Sequence, residues 1–547
     1  QICHAIAAAA APTAGPWPEL LPVVVHAAQS PEVTKKVMAF YLLETMSGTS
    51  PEMISQQAAS LLQQVCAAAL SNPSQLKVAS AAFTASAALL QNLTDEQEQA
   101  QFQSLLPQML QVLSAQLSAG EELGAQEMLE ALAQLADVLP LFFRNTVAQL
   151  TQAMLTVGSA SQLEFCTRAA GVEVLLTLSE RAPAIMRKCS TVAPGLMPLV
   201  LSLACELDED EKEWVAGPYD DDVDHDEEGA YGVEAMCRLV AALHAKTTMP
   251  TALQLVPAYL ESADWRKRRA GVCALSALVD SATKALKDHL ASVAEAALSH
   301  LADPSPRVRF QALQLTGRLS DLYPEEFQGT YHERAVPTVC GLLSDAAQPV
   351  RVRGHAASAL VNFTDTEGVP EEAVTPHLDA LLSALCTCLN GAVPQSVQCR
   401  ALTAVSTVAK TAEGKFGKYY DAFMPGIRAI VTTTAPQAGT DPQKDLLLGQ
   451  AMQCAGMIGE AVGRTRFRSD GLAMMSTLME RLGKDGLDAH SQFIFDHVAP
   501  ACANLCRALG NDFSMFLPVV LPPLLSALEA EVKFNIEAAD PDDENEA

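Results

Sequence analysis

An arginine followed about a dozen residues later by a carboxylate, inside an apolar helical pattern, returns along this chain. The instances are Arg168 to Glu180, Arg269 to Asp280, Arg309 to Asp321, Arg353 to Asp365 and Arg400 to Glu413. From Arg269 onward the arginines stand 40, 44 and 47 residues apart. Between them, stretches such as 309–315 repeat apolar residues at helical spacing. A period in the forties, rich in helix formers and nearly free of strand-type alternation, describes helix pairs stacked in a row. In such a row each unit touches only its neighbours, so 547 residues lengthen one core instead of dividing into three or four domains.

Composition supports a long buried core, with 49% hydrophobic residues and only 5% aromatic ones. The net charge of −28 argues against nucleic acid as a direct partner, because phosphate affinity depends on Lys and Arg, and names basic proteins or basic peptide segments as the complement. Fourteen cysteines are scattered, Cys66, Cys166, Cys205, Cys273 and Cys340 singly, while Cys386/Cys388 and Cys502/Cys506 fall within helical patterns. That usage reads as buried thiols in a reducing compartment, with no metal site and no cofactor. His4, His26, His225 and His244 are isolated, and no nucleophile elbow, phosphate-binding glycine loop or zinc-protease pattern occurs, so no catalytic residue is expected. No apolar run is long enough to predict a membrane span. The start, residues 1–6 and then alanines, reads as the inside of a helix, not as a secretion signal.

The pattern predicts about eleven helix pairs, with second helices near 31–47, 75–93, 123–139, 163–182, 229–245, 264–283, 306–322, 349–364, 395–412, 443–462 and 489–509. Ser30-Pro31, Asp303-Pro304 and Gln348-Pro349 mark turns before second helices, Asp303 as cap and Pro304 at a first helical position. One further helix is expected over 516–529. Residues 206–228 break the rhythm: thirteen Asp or Glu against one Lys, with Trp214, Gly217, Pro218 and Tyr219 among them. Such a block repels itself and is expected as a solvated loop between the helices of one pair. The resulting division is 1–205 as amino-terminal repeats, 206–228 as acidic loop, 229–512 as central repeats and 513–547 as a terminal helix with an acidic tail. Apolar sequence at the first residues and the acidic end suggest a fragment of a longer array.

Asp303-Pro304-Ser305-Pro306-Arg307-Val308-Arg309 with Ala312-Leu313, and Pro349-Val350-Arg351-Val352-Arg353 with Ala356-Ala357, look like the HEAT consensus. The expected fold is therefore all-α, a HEAT-repeat solenoid with a right-handed superhelix. Residues 264–271, 303–309 and 355–365 further resemble successive repeats of the karyopherin-beta (importin-beta) nuclear transport receptors, of the importin-five type. The runs 17–19, 176–180, 418–425, 458–463 and 516–520 fit in the same order. Against the family pattern the chain lacks the first two or so repeats and about the carboxyl-terminal half, while an acidic insertion in one repeat is a family feature.

The resemblance implies a monomeric receptor that shuttles between cytoplasm and nucleus. It would bind basic cargo such as ribosomal proteins or histones, pass phenylalanine-glycine nucleoporins and release cargo to Ran-GTP. In a HEAT stack the second helices line the inner surface, and the carboxylates Glu180, Asp280, Asp321, Asp365, Glu413 and Glu460 fall at the ends of those helices. Carboxylates at helix C-termini face the negative end of the dipole, at a cost of roughly 0.3–1 kcal/mol each, so their recurrence points to a ladder for Lys and Arg side chains. Asn362 is expected to offer its amide to an extended peptide. Turn chemistry is the plain alternative for any single carboxylate, and the recurring arginines are expected to tie one repeat to the next. The acidic loop, Asp208, Glu209, Asp210, Glu211, Asp220, Asp221, Asp222, Asp224 and Asp226, is expected to meet cargo or Ran, with a solvated spacer as alternative. A HEAT-repeat scaffold, or a chaperone for basic proteins without transport activity, is the rival reading.

Overall fold

The structure, a computed structural model, describes residues 19–49, 59–72, 75–93, 95–207, 211–217, 227–364, 375–390, 393–439, 441–482 and 499–522, with residues 6, 497 and 525. Among the described residues there are helices and turns but no strand, and no helix is long and apolar enough to cross a membrane. The protein is an all-α HEAT-repeat solenoid. The second helices of its pairs are α1 (Val33–Thr49), α2 (Leu76–Gln91), α3 (Glu122–Val138), α4 (Phe165–Arg181), α5 (Glu227–Leu243), α6 (Trp265–Ser281), α7 (Pro306–Leu322), α8 (Val350–Thr364), α9 (Gln395–Ala412), α10 (Pro442–Val462) and α11 (Ala499–Leu509). The expected boundaries hold to within a few residues for α1 to α10. For α11 only the part from Ala499 is described, and the terminal helix expected from Phe516 is seen over 517–522.

Two compact units divide the chain: residues 1–208 with 226–285, and 209–225 with 286–547. The break thus falls inside the array that the sequence joins as 229–512. In unit 1, α1 packs on α2, α2 on α3, α3 on α4, α4 on α5 and α5 on α6; in unit 2 the order α7, α8, α9, α10, α11 repeats the arrangement. Within unit 2 the second helices approach one another more closely than their partner helices Leu290–His300, Gly329–Ser344, Leu378–Asn390, Tyr420–Thr434 and Arg464–Leu482 do. The second helices therefore form the more closely packed side of that unit.

Small residues allow the approach. A Cβ on Gly456 would lie 2.7 Å from Asn504 Cβ and 3.0 Å from its backbone, so α10 and α11 meet nearly backbone to backbone. In unit 1 a Cβ on Gly232 of α5 would stand 2.2 Å from the Ala204 nitrogen. Partner helices are joined differently, by exposed ion pairs at about one repeat's spacing: Glu295–Arg334, Glu326–Lys287, Asp379–Lys418, Asp421–Arg466 and Asp470–Arg428, at 2.6 to 3.0 Å. Such pairs are worth about 0–1 kcal/mol each, so the apolar seam of the second helices carries the stack.

The recurring arginines divide into two kinds. Arg168 grips Glu206 in the next repeat's turn through two hydrogen bonds of 2.6 and 2.5 Å, and Arg269 donates to the Ala204 carbonyl of the preceding repeat at 3.2 Å. Those two tie repeats together, as expected. Arg309 instead donates to the Asp303 and Pro304 carbonyls, and Arg353 to Leu343 O, so they fasten the two helices of their own pair. The capping expectation also changes: Ser305 is the N-cap residue of α7 and Pro306 takes the first turn. Asp303 accepts from Ser305 N at 2.8 Å, shaping the turn before the helix.

Two outcomes follow. Gly232→Leu forces side-chain atoms into the Ala204 backbone and lowers stability by about 3 kcal/mol, read by urea denaturation. The partner helices also carry a histidine pair, His332 Nδ1 to His377 Nε2 at 2.9 Å, beside Glu333. Burial, then the His332 ring, hold His377 below its usual pKa. The unfolded chain then binds the extra proton first, so this stability is present above about pH 6.5 and is lost as acidification runs toward the depressed folded value. His377→Gln should shrink the fall in Tm between neutral and mildly acidic buffer; an unchanged fall would show the pair is not responsible.

Candidate functional site

The helix ends place the predicted carboxylates where the spacing put them. Glu180, Asp280 and Asp321 are each the last residue but one of α4, α6 and α7; Glu413 is the C-cap of α9, and Glu460 lies in the last turn of α10. Their chemical states differ. Glu180 is held by Arg238 of α5, Nε to Oε1 at 2.7 Å and Nη2 to Oε2 at 3.0 Å, and the same guanidinium binds Glu173 at 2.7 and 2.9 Å. Glu460 accepts from Arg507 of α11 at 2.8 Å. These two carboxylates are each paired with an arginine of the next helix. Asp280 is exposed on unit 1.

In unit 2 the side chains of Asp321 and Glu413 are exposed and, among the described residues, have no hydrogen-bond or ion-pair partner. Glu413 has a backbone φ of 43°, a left-handed value that costs a non-glycine residue about 1–3 kcal/mol and turns the chain sharply out of α9. Asp365 lies outside the described residues. Asn362 departs from expectation: its Nδ2 donates to Gly317 O at 3.1 Å and its own carbonyl accepts from Gln328 Nε2 at 3.1 Å. The amide thus ties α7 to α8. Further along the second helices Thr364 and Thr407 hydroxyls meet at 2.8 Å, Thr411 donates to Thr364 O at 2.7 Å, and Thr403 donates to Gln450 at 3.1 Å.

The acidic block is not wholly solvated. Glu211–Ala216 is a short helix belonging to unit 2, and Trp214 is 4% exposed. Its ring stands edge-on to Phe310 of α7, centroids 5.6 Å apart at 80°, with the Arg307 and Arg351 guanidiniums 5.5 and 5.1 Å from its centre. Phe310 in turn lies 4.6 Å from the His355 ring of α8. Glu211 accepts from Ser305 Oγ at 2.6 Å. Asp208, Glu209, Asp210, Asp220, Asp221, Asp222, Asp224 and Asp226 lie outside the described residues.

Unit 1 carries two cavities with charged linings, of whose residues only Glu180 was expected from the sequence. One of about 690 Å³ is lined by Asp137, Glu173, Glu180, Arg181 and Arg238. Another, of about 520 Å³, runs over α1, α2 and α3 past Tyr41, Glu44, Lys77, Glu127 and Glu130. Burial raises the Glu44 carboxyl above its ordinary pKa, the Thr84 hydroxyl opposes this at 2.9 Å, and Glu127 adds to it. No arginine precedes Arg144, so the arginine-to-carboxylate spacing had nothing to lock onto there. Between helices Leu106–Ser118 and Val147–Gly158 lies a mainly apolar pocket of about 340 Å³, with Leu110, Leu113, Leu117, Val157 and Leu163 in its wall. Among the described residues no three His, Cys, Asp or Glu side chains come together as metal ligands.

Family models for "IPO5-like, TPR repeats" and "Importin repeat" match residues 1–153 and 160–250. Over 94% of its length the chain is 28% identical to importin subunit beta-3 of Saccharomyces cerevisiae, covering 46% of that protein. The chain is similar to karyopherin-beta transport receptors along most of its length. It is also 24% identical to the probable importin-5 homolog of Dictyostelium discoideum, over 95% of the chain and 47% of the relative. Crystal structures of Kap121p bound to Pho4p and to Nup53p superpose with TM-scores of 0.82 at 27% identity, over 96% of this chain and 49% of theirs. The chain thus spans about half the length of the relatives it matches.

Arg238 neutralises two carboxylates while one quarter exposed, so Arg238→Gln should cost about 1–3 kcal/mol in chemical denaturation by leaving Glu173 and Glu180 without their donor. No loss would show that solvent satisfies both.

Proposed function

We propose that this chain is the cargo-binding part of a nuclear import receptor and takes basic, extended segments along the second helices of unit 2. The observation that carries this reading is the pair Asp321 and Glu413, exposed and unengaged at the C-terminal ends of α7 and α9. Carboxylates of the partner helices in the same unit, Asp379, Asp421 and Asp470 among them, are already joined to Lys or Arg. An incoming ammonium group gains the carboxylate with no ion pair to displace, and at α7 the negative end of the helix dipole as well; at α9 Lys410 in the last turn already offsets part of that field. Asp365, Asp280 and the insertion's carboxylates add negative charge to the same sequence pattern.

Release by Ran-GTP, and passage through the pore by phenylalanine-glycine nucleoporins, complete the reading. The apolar pocket between Leu106–Ser118 and Val147–Gly158 has the size and lining for a phenylalanine ring. The relatives support the transport role, since Kap121p structures hold Pho4p and Nup53p.

Asp321→Lys with Glu413→Lys should weaken binding of a lysine-rich peptide at least tenfold at low salt, and the difference should narrow as salt rises. Glu460→Lys, at a rung already held by Arg507, should act mainly on stability. Unchanged peptide affinity in the folded double variant would refute the reading. If Ran-GTP added to the full-length receptor leaves cargo in place, a scaffold is the better description.

A further inference from the structure

Among the cavities of unit 1, the one of about 520 Å³ gathers negative charge that the chain itself leaves unpaired. Small side chains make the room: Ser80, Ala81 and Thr84 of α2, Gly124 and Ala131 of α3. Glu44 of α1 and Glu127 of α3 both line it; burial raises the Glu44 carboxyl, and nearby Glu127 raises it further. Burial raises the Tyr41 phenol too, with Glu127 and then Glu44 adding to it, so the three groups converge from two helices. Glu44 accepts the Thr84 hydroxyl at 2.9 Å and has no cation as partner. Glu127 and Glu130 are exposed and, among the described residues, have no hydrogen-bond or ion-pair partner. Lys77, the single cation of the lining, pairs with none of them and stands seven residues before Thr84 on α2, about 10 Å along the helix axis. Gln116 adds an observation of another kind. It is 8% exposed, and its Oε1 accepts from Ser80 Oγ at 3.2 Å while its Nε2 donates to nothing among the described residues. The amide lies in the gap left by Gly124, where a Cβ would strike Nε2. A nearly buried donor in the wall of a cavity suits an acceptor from outside.

We propose that this cavity is a second seat for basic segments, built by unit 1 alone. A lysine ammonium enters between Glu44 and Glu127, its methylenes lie on Ala81 and Met128, and the Tyr41 ring flanks the cation. Gln116 Nε2 donates to a backbone carbonyl of the same segment. Three carboxylates against one lysine leave the lining net negative, which selects a cation. Volume and the amide donor select a peptide over a free ammonium ion: the space admits a lysine side chain with part of its backbone, and the backbone brings the acceptor. Nothing in this seat depends on the binding proposed for unit 2.

The test uses the whole chain with Asp321→Lys and Glu413→Lys in place, so that the unit 2 carboxylates no longer contribute, and a fluorescent lysine-rich peptide, with circular dichroism to confirm folding. In that background Glu44→Gln with Glu127→Gln, which keeps shape and the bond to Thr84, should weaken the peptide about fivefold to tenfold at low salt, with the difference narrowing as salt rises. Glu19→Gln with Glu261→Gln removes the same charge from exposed positions of unit 1 outside the cavity and should change affinity by less than about twofold. Gln116→Leu should weaken the peptide about twofold to fivefold and leave spermidine, a cation without a carbonyl, unaffected. Equal losses from the two glutamate pairs overturn the seat, since net charge then explains both. Unchanged affinity in the folded Glu44→Gln, Glu127→Gln chain overturns it as well, and so does the loss of all peptide binding in the unit 2 background. Peptide affinity untouched by Gln116→Leu, with spermidine displacing the peptide at matched charge, makes the cavity a polyamine site and overturns the peptide assignment. What Asp321→Lys and Glu413→Lys do on their own bears on unit 2 alone, so the two readings fail separately.

Discussion

The close approach of one second helix to the next is the contact on which the rest of this molecule depends. Gly317 illustrates it in unit 2, where a Cβ would lie 3.3 Å from Asn362 Nδ2 and 3.6 Å from Ala359 Cα. Near that contact the amide of Asn362 reaches the Gly317 carbonyl, and Gln328 reaches back to Asn362. Buried polar groups this near an apolar seam have to be satisfied, and each bond made across it also fixes register between helices. With register fixed, helices of similar length end side by side. In unit 2 Asp321 and Glu413 take their places at those ends from that register and not from ion pairs of their own.

Away from the seam the molecule is held more loosely. Partner helices meet through exposed ion pairs and one histidine pair, interactions that water and salt compete with directly. A stack with an apolar hinge line inside and labile charged links outside can change curvature within a unit at small cost per interface, as repeat arrays do. An inner surface that must fit extended segments of varied sequence benefits from that tolerance.

Much of this was legible in the amino-acid sequence because helical period and repeat period are both properties of order along the chain. The positions of α1 to α10 and the placement of Glu180, Asp280, Asp321 and Glu413 at helix ends followed from spacing alone. Pairing did not follow. That Arg238 would turn toward Glu180, or Arg507 toward Glu460, depends on how far adjacent helices are offset, which spacing does not encode. The same holds for Asn362, whose amide serves the seam, and for Ser305, whose hydroxyl leaves its own helix for Glu211. Trp214 was visible as an oddity within an acidic block, but its socket is built from Arg307, Phe310, Arg351 and His355, on two helices about a hundred residues further along.

Net charge alone would make the whole surface of a protein at −28 attractive to cations. What distinguishes one carboxylate from another is what an incoming lysine must displace. At Asp379 it competes with Lys418 and the Tyr419 hydroxyl, the bonds that hold the Asp379 carboxyl below its ordinary pKa. At Asp512 it competes with Arg464 and Arg468, and at Glu460 with Arg507. In each case one ion pair is exchanged for another, with little net gain at the surface. At Asp321 and Glu413, among the described residues, no ion pair has to be exchanged.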